Sequence, residues 1–261
     1  NSPSFTVFGS DDHFYCFGCG AGGDVITFTM KMENVDYPTA LEMLARRAGI
    51  EIPQTAESAY GDRGVKRERV LKMNEAAARF FRHCLTKEPC GEEARQYFQK
   101  RGISEGTSKQ FYLGYAPNDF GKLTNYLKSL GFTEEEMIVG FLCGKSQKTG
   151  RAYDYFRNRV MFPIQDTGGK VIGFGGRVLG DAKPKYINSS DTQIFDKGRN
   201  LYALNLARRS RKDHLILCEG YMDVIALHAS GITNAVATLG TAITSEQARL
   251  LSRYTKRVVV S

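Results

Sequence analysis

The chain has 261 residues, 42% of them hydrophobic, enough to fill the cores of one large or two to three small domains. It holds no run of eighteen apolar residues and no signal-peptide pattern, and its six cysteines are too few for a secreted disulfide framework; no membrane span is expected, and the cytoplasm is the expected compartment. The net charge of +8 is confined to one segment: Arg151 to Lys212 carries thirteen Lys and Arg against five Asp and Glu, while the rest of the chain carries 23 of each sign.

Charge gathered in this way is the footprint expected for a nucleic-acid or nucleotide partner, the plainer alternative being a solvated surface. In chain order, residues 1–52 read as a first unit. Ser4 to Phe8 alternates like a strand, and Phe14 to Gly20 reads as a second strand running into a knuckle turn. Asp24 is placed to cap a helix through Met32, and a second helix runs from Pro38 to Arg47 with Gly49 beyond its end. Residues 53–66 form a polar linker. From there the pattern is mostly helical, with helices expected over 67–86, 91–101, 121–130 and 133–139. The glycine-rich, alternating stretch from Arg151 to Asp196 predicts short strands.

The last segment, 213–261, reads βαβαβ. Leu215 to Cys218 is a short apolar run, predicted to be a buried parallel strand. Glu219 follows at its carboxyl end, Gly220 turns the chain, and residues 221–229 form a helix stopped by Gly231, with Val224, Ala226, Leu227 and His228 on its packed face. Asn234 to Thr238 is a second strand. Thr244 and Gln247 have capping-box spacing for the next helix, and Arg257 to Val260 is expected to be a third buried strand. This order implies a parallel sheet with right-handed crossovers. A further helix and strand would be needed to cover it, so the chain is expected to stop inside a domain; the lack of an initiator Met suggests a missing amino terminus as well. The fold class is α+β, multi-domain.

Three features carry chemistry. Cys16-x-x-Cys19 has the spacing of a zinc knuckle but supplies two of the four ligands zinc needs; a thioredoxin-type redox pair is the rival, weakened because Cys16 does not open a helix. Cys84, Cys90, Cys143 and Cys218 read as core or incidental cysteines, with no close thiol partner for Cys84 or Cys90. Glu219 sits where ligand crevices open in α/β sheets, suited to a metal or substrate, or else it caps the following helix. Gly173-Phe174-Gly175-Gly176 would let backbone approach a phosphate or would form hairpin turns. Pro184-Lys185-Tyr186 could present a cation beside a stacking aromatic. Arg208, Arg209, Arg211 and Lys212 read as a solvated helix end.

Several stretches resemble one family in order along the chain. Asn1 to Phe8, Tyr15-CFGCGAGGDVITF and Tyr37-Pro38-Thr39-Ala40-Leu41 closely resemble the zinc ribbon of bacterial replicative primases of the DnaG type. Arg157 to Ile164, Val171-IGFGGR-Val178, Pro184-Lys185-Tyr186 and Phe195-Asp196-Lys197-Gly198 resemble that family's central region. Cys218-EGYMDVIALHASGI and Ala237-Thr238-LGTAIT resemble its Toprim region. The resemblance implies a zinc ribbon over 1–52, a basic catalytic-core subdomain over 67–212 and a Toprim subdomain over 213–261. It implies Zn²⁺ on Cys16 and Cys19, with a Cys and a His just ahead of Ser2 completing the site. Glu219 would hold Mg²⁺ (or Mn²⁺) or move a proton beside it, with Asp223 in support. Arg157, Arg159, Arg177, Lys185 and Lys197 would line a groove for single-stranded DNA template and ribonucleoside triphosphates. An Asp-x-Asp pair of metal ligands is expected just past Ser261, so the isolated chain is expected to be inactive or nearly so. The replicative helicase is an expected partner through a carboxyl-terminal region outside the sequence. The rival readings are a zinc-ribbon DNA-binding module of a phage or plasmid replication protein, and another Toprim enzyme, a nuclease or topoisomerase.

Overall fold

The structure is a computed structural model that describes residues 4–9, 12–18, 20–33, 37–50, 65, 67–240 and 242–261. Apart from Val65, the expected linker lies outside the described residues, as does Cys19. The chain divides into two units, Asn1–Gly64 and Val65–Ser261. Among the described residues no helix is long and apolar enough to cross a membrane.

The first unit is a small antiparallel sheet of β1 (Phe5–Phe8), β2 (His13–Cys16) and β3 (Gly22–Gly23), followed by α1 (Val25–Glu33) and α2 (Tyr37–Ala48). Its core is aromatic: Phe14 lies 5.5 Å from Phe5 and 5.3 Å from Phe28, centroid to centroid. Asp24 caps α1, its Oδ1 accepting from the Thr27 amide at 2.7 Å.

The second unit is built on α3 (Arg67–Thr86), whose face of Val70, Met73, Ala77, Phe81 and Cys84 is buried at helical spacing. It packs on an antiparallel sheet ordered β4 (Gly114–Ala116), β7 (Arg159–Gln165), β8 (Val171–Val178) and β9 (Tyr186–Asn188). The approach is close enough that a Cβ on Gly114 would lie 2.5 Å from that of Phe81. Helices α4 (Glu92–Lys100), α6 (Lys122–Ser129) and α7 (Glu134–Val139) occupy the expected ranges, and a hairpin of β5 (Cys143–Lys145) and β6 (Ala152–Asp154) follows. Among the elements that escape the sequence reading are β3, β4 and β5, each no more than three residues long, and α5 (Glu105–Gln110), whose EGTSKQ has no apolar periodicity and is held by Ser104 Oγ accepting from the Thr107 amide at 3.0 Å.

After α8 (Leu204–Ala207) comes the parallel sheet. Its central strand β10 (His214–Cys218) lies between β11 (Ala235–Ala237) and β12 (Arg257–Val260), parallel to both. Helices α9 (Tyr221–Ala229) and α10 (Ser245–Ser252) make the crossovers, α10 opening with a complete capping box of Thr244 and Gln247. Three expectations need correction here. Strand β12 forms but is exposed along its whole length, Val260 by 78%, because it pairs with β10 along one edge while its faces stay bare. The buried stripe of α9 is Tyr221, Val224, Ile225 and His228, the i, i+3, i+4, i+7 positions, and Ala226 faces outward. Cys84 does have a thiol neighbour in Cys90: burial first, then the charge of Cys90, push the Cys84 thiol up to about 12.

Candidate functional site

The site starts from the middle of the parallel sheet. Leu215, Leu217 and Cys218 bury β10, which delivers Glu219 to the carboxyl end of the strand with its side chain exposed. The residue before α9 is Gly220, and no side chain caps the helix. The capping alternative for Glu219 therefore has no contact behind it. Asp223, in the first turn of α9, is exposed too, and its carboxylate folds back over Gly220.

Both acids line a cleft of about 360 Å³ together with Arg101, Arg177, Lys185 and Tyr186. Arg177 comes from β8, directly across from Tyr186 on β9, and its guanidinium stands 4.7 Å from the Tyr97 ring centre and 5.9 Å from that of Tyr186. Arg101 follows the end of α4 and lies 5.4 Å from the Tyr97 ring centre. Flat aromatic surfaces thus hold two guanidinium groups in place while leaving their N–H edges for an anion. Burial, ahead of neighbouring charges, pushes the Tyr186 phenol above its ordinary value.

Two residues tie the cationic side to the sheet. Asn188, the last residue of β9, accepts from the Tyr221 hydroxyl at 2.8 Å through Oδ1 and donates from Nδ2 to the Leu239 carbonyl at 2.9 Å. Tyr221 is buried, stacked on Phe162 with centroids 4.9 Å apart and edge-on to Tyr202 at 4.6 Å. It reaches that position because β8 has no side chain at Gly175: a Cβ there would lie 2.5 Å from the Tyr221 ring. Gly173 and Gly176 likewise admit Phe195 and Phe156 at 3.1 Å and 3.0 Å. These glycines lie inside a strand and face aromatic rings, so both sequence readings, phosphate loop and turn former, give way to close packing.

The five basic residues expected in one groove are divided by the structure. Arg177 and Lys185 line the cleft. Arg159 is 8% exposed and donates to the Pro184 carbonyl at 3.0 Å and that of Lys185 at 3.3 Å. It braces the turn that presents Lys185, a turn containing a cis Lys183–Pro184 peptide. Desolvation, and secondarily Arg157, lower its pKa from the ordinary arginine value. Arg157 lies over Phe120 and Tyr153 and lines a separate pocket. Lys197 is outside the cleft's lining; its carbonyl accepts from Gln247 Nε2 at 2.8 Å, tying its loop to α10. Arg208, Arg209, Arg211 and Lys212 are exposed. Arg101 was missed because it lies outside the basic segment, and a single Arg after a helix end gives no distinguishing signal.

Two exposed carboxylates offer the hard oxygen donors a hydrated divalent cation prefers. Among the described residues no third His, Cys, Asp or Glu joins them to make a metal cluster. In the first unit, the Cys16 amide donates to the Ala21 carbonyl at 2.7 Å and its carbonyl accepts from the Gly20 amide at 2.8 Å, folding the chain tightly back at the cysteine. A thiol at the mouth of such a turn is donor chemistry that suits zinc.

Comparison with known proteins brings these parts together. Residues 1–60 match the family model described as CHC2 zinc finger, residues 80–208 the DNA primase catalytic core, N-terminal domain, and residues 213–261 the Toprim domain. The first match supports zinc and the last a divalent metal. The DNA primase of Clostridium acetobutylicum is 47% identical over the whole chain, which spans 43% of that protein; that of Pseudomonas putida is 43% identical, with 40% of its length spanned. The chain thus covers less than half the length of these curated relatives. Among solved structures, a DnaG primase catalytic domain bound to ssDNA matches 74% of the chain and 63% of its own length at 42% identity, with a TM-score of 0.69. The Aquifex aeolicus primase, zinc-binding and RNA polymerase domains, covers the whole chain and 62% of its own length at 39% identity, TM-score 0.68.

Proposed function

Because the chain belongs to the bacterial DnaG-type primase family, we propose that the full-length protein joins ribonucleoside triphosphates into short RNA primers on a single-stranded DNA template in the cytoplasm. The observation that carries this reading is one cleft with Glu219 and Asp223 on one side and Arg101, Arg177 and Lys185 on the other. Mg²⁺ (or Mn²⁺), when bound, organises the phosphates and stabilises charge on the attacking and leaving oxygens. Glu219 is the residue of this chain that would hold it, with Asp223 beside it. Arg177 and Arg101 fork onto phosphate oxygens, and Lys185 adds a compact charge. Tyr186, 37% exposed between those cations and the acids, offers a face on which a base can rest. Cys16 and Cys19 belong to the zinc-holding unit that takes part in choosing the template. The replicative helicase is the expected protein partner.

The deciding experiment is labelled ribonucleotide incorporation on single-stranded DNA by the full-length protein and its Glu219→Gln variant. Incorporation into primer-sized RNA should fall about 100-fold or more in the variant while single-strand affinity stays within about twofold. Wild-type rates in the variant would remove Glu219 from the site. Nicked or relaxed DNA as the product would point to a nuclease or topoisomerase, and binding without product to a DNA-binding module.

A further inference from the structure

Where α3 ends and α4 begins, the chain turns a tight corner that carries a cysteine on each side. Cys84 is buried in the last turn of α3, and Cys90 is exposed on the single 3-10 turn Pro89–Gly91 that leads into α4. The turn is pressed onto the helix: a Cβ on Gly91 would collide with the Cys84 carbonyl and lie 2.8 Å from that of Leu85. The Gly91 amide donates to the Glu88 carbonyl at 3.1 Å. From α4, Arg95 Nη1 donates to the Leu85 carbonyl at 2.7 Å and to that of Glu88 at 3.1 Å, hanging the helix on the end of α3. The charges of both thiols reach the buried Tyr115 phenol as well as each other. Two cysteines on so short a corner have the reach that a disulfide requires.

Neither thiol lines the cleft, but α4 runs from this corner to it. Its Tyr97 ring supports the guanidinium of Arg177, and Arg101 follows its last residue. A disulfide draws its sulfurs to about 2.05 Å, well inside the contact distance of free thiols. The Gly91 backbone already rests on α3 and cannot yield further in that direction, so the adjustment passes to α4 and to the cations at its far end.

We propose that Cys84 and Cys90 are a reversible redox switch: a low-molecular-weight disulfide, RSSR, oxidises them to a bridge that re-seats α4 and weakens anion binding in the cleft. Cys90, the exposed partner, gives its proton to water, and its sulfur attacks one sulfur of RSSR. That S–S bond breaks, and RS⁻ leaves with the electron pair and takes up a proton. Cys84 then gives up its own proton and attacks the Cys90 sulfur, expelling the second RS⁻, which is protonated in turn. Two thiols are oxidised to one disulfide, and RSSR is reduced to two RSH. Burial holds the Cys84 thiol at about 12, so the second step is the slow one and should quicken about tenfold per pH unit. In a reducing compartment the pair stays open, so the bridge reports an oxidised thiol pool.

The inference shares with the primase reading only the cleft as an anion site. The test treats the full-length protein with oxidised glutathione or with dithiothreitol, maps its cysteines by mass spectrometry, and titrates each form with inorganic tripolyphosphate. A Cys84–Cys90 peptide pair lacking two hydrogens is expected, preceded by a glutathione adduct on Cys90 and reversed by dithiothreitol. The bridged form should bind tripolyphosphate about fivefold more weakly, the worth of about one charge-assisted hydrogen bond. Cys84→Ser should stop at the Cys90 adduct, and Cys90→Ser should bind tripolyphosphate equally after either treatment. Absence of the bridge overturns the proposal, as does a bridge that leaves the affinity unchanged or an equal loss in oxidised Cys90→Ser. The bridge is mapped in the unsubstituted protein, so a folding defect cannot imitate failure. Turnover is not read, so the outcome stands apart from that of the Glu219→Gln assay.

Discussion

Gly175 shows how a residue with no side chain can govern a site. The Tyr221 ring occupies the space where its Cβ would stand, and that ring carries the hydroxyl bound to Asn188. Gly175→Ala should therefore overpack this contact, costing about 1–3 kcal/mol and lowering the melting temperature by several degrees; thermal melts of the two proteins check this. A neutral result would mean that β8 can shift away at little cost. At this scale the sequence was readable wherever a residue's role depends on its immediate neighbours in the chain. Glu219 follows an apolar run, and Thr244 stands three residues before Gln247, so both were placed correctly relative to their elements. The aromatic packing of the glycines was not readable, because their partners Tyr221, Phe195 and Phe156 come from other elements; Arg101 rests on Tyr97 of its own helix, but the cleft it lines is completed by residues far away in the chain. Arg159 is similar: nothing in Arg157-Asn158-Arg159 says that one arginine braces backbone carbonyls while its neighbour lies in another pocket.

Among the elements, α9 has a titrating group in its packed face. His228 is 5% exposed, its Nε2 donating to the Ala235 carbonyl at 3.0 Å and its ring edge-on to Phe111. Burial lowers its pKa from the ordinary 6.5, while the bond to Ala235 pulls weakly the other way. An unfolded chain then binds a proton near pH 6.5 that the folded molecule refuses until the pH is lower. Stability from this group is thus full above about 6.5, falls as pH drops through that value, and levels off only beneath the folded-state pKa. Urea midpoints at pH 8 and pH 5.5 should differ more for the wild type than for His228→Gln; equal differences would assign the acid sensitivity to other groups. Helices such as α3 and α6 were legible because periodicity and end signals agree, whereas α5 has no apolar periodicity and β4 is too short to show one. The parallel pairing of β10, β11 and β12 was implied by the alternation of elements, but their order β11-β10-β12 was not, nor was the exposure of β12, because burial depends on what lies over a strand's faces rather than on its own valines.

Across the whole chain, net charge is less informative than its distribution. The excess lies between Arg151 and Lys212, and the second unit spreads those residues over the cleft, the Arg159 brace, the separate pocket lined by Arg157 and an exposed helix end. Only cations that meet phosphate should enter the salt dependence of DNA binding. Arg177→Ala and Lys185→Ala should each make the slope of log affinity against log salt shallower by about 0.7, while Arg209→Ala leaves it unchanged; fluorescence anisotropy on a labelled single strand reads all three. A slope lost equally at Arg209 would mean a diffuse electrostatic surface. The gathering of charge in one segment suggested a polyanion partner, but it could not assign cations to particular sites, since that depends on which strand or turn carries each one.

Asn188 has a consequence at this same scale. One carboxamide moors the end of β9 both to the helix that begins just after Glu219 and to the loop beyond β11. The gap from acids to cations is then set like the jaws of a calliper, by a clamp whose Asn188 and Tyr221 form part of the cleft wall. An anion of matching length fits without disturbing the clamp, and a longer one must strain it. Discrimination by phosphate-chain length would thus be built in before any base is read.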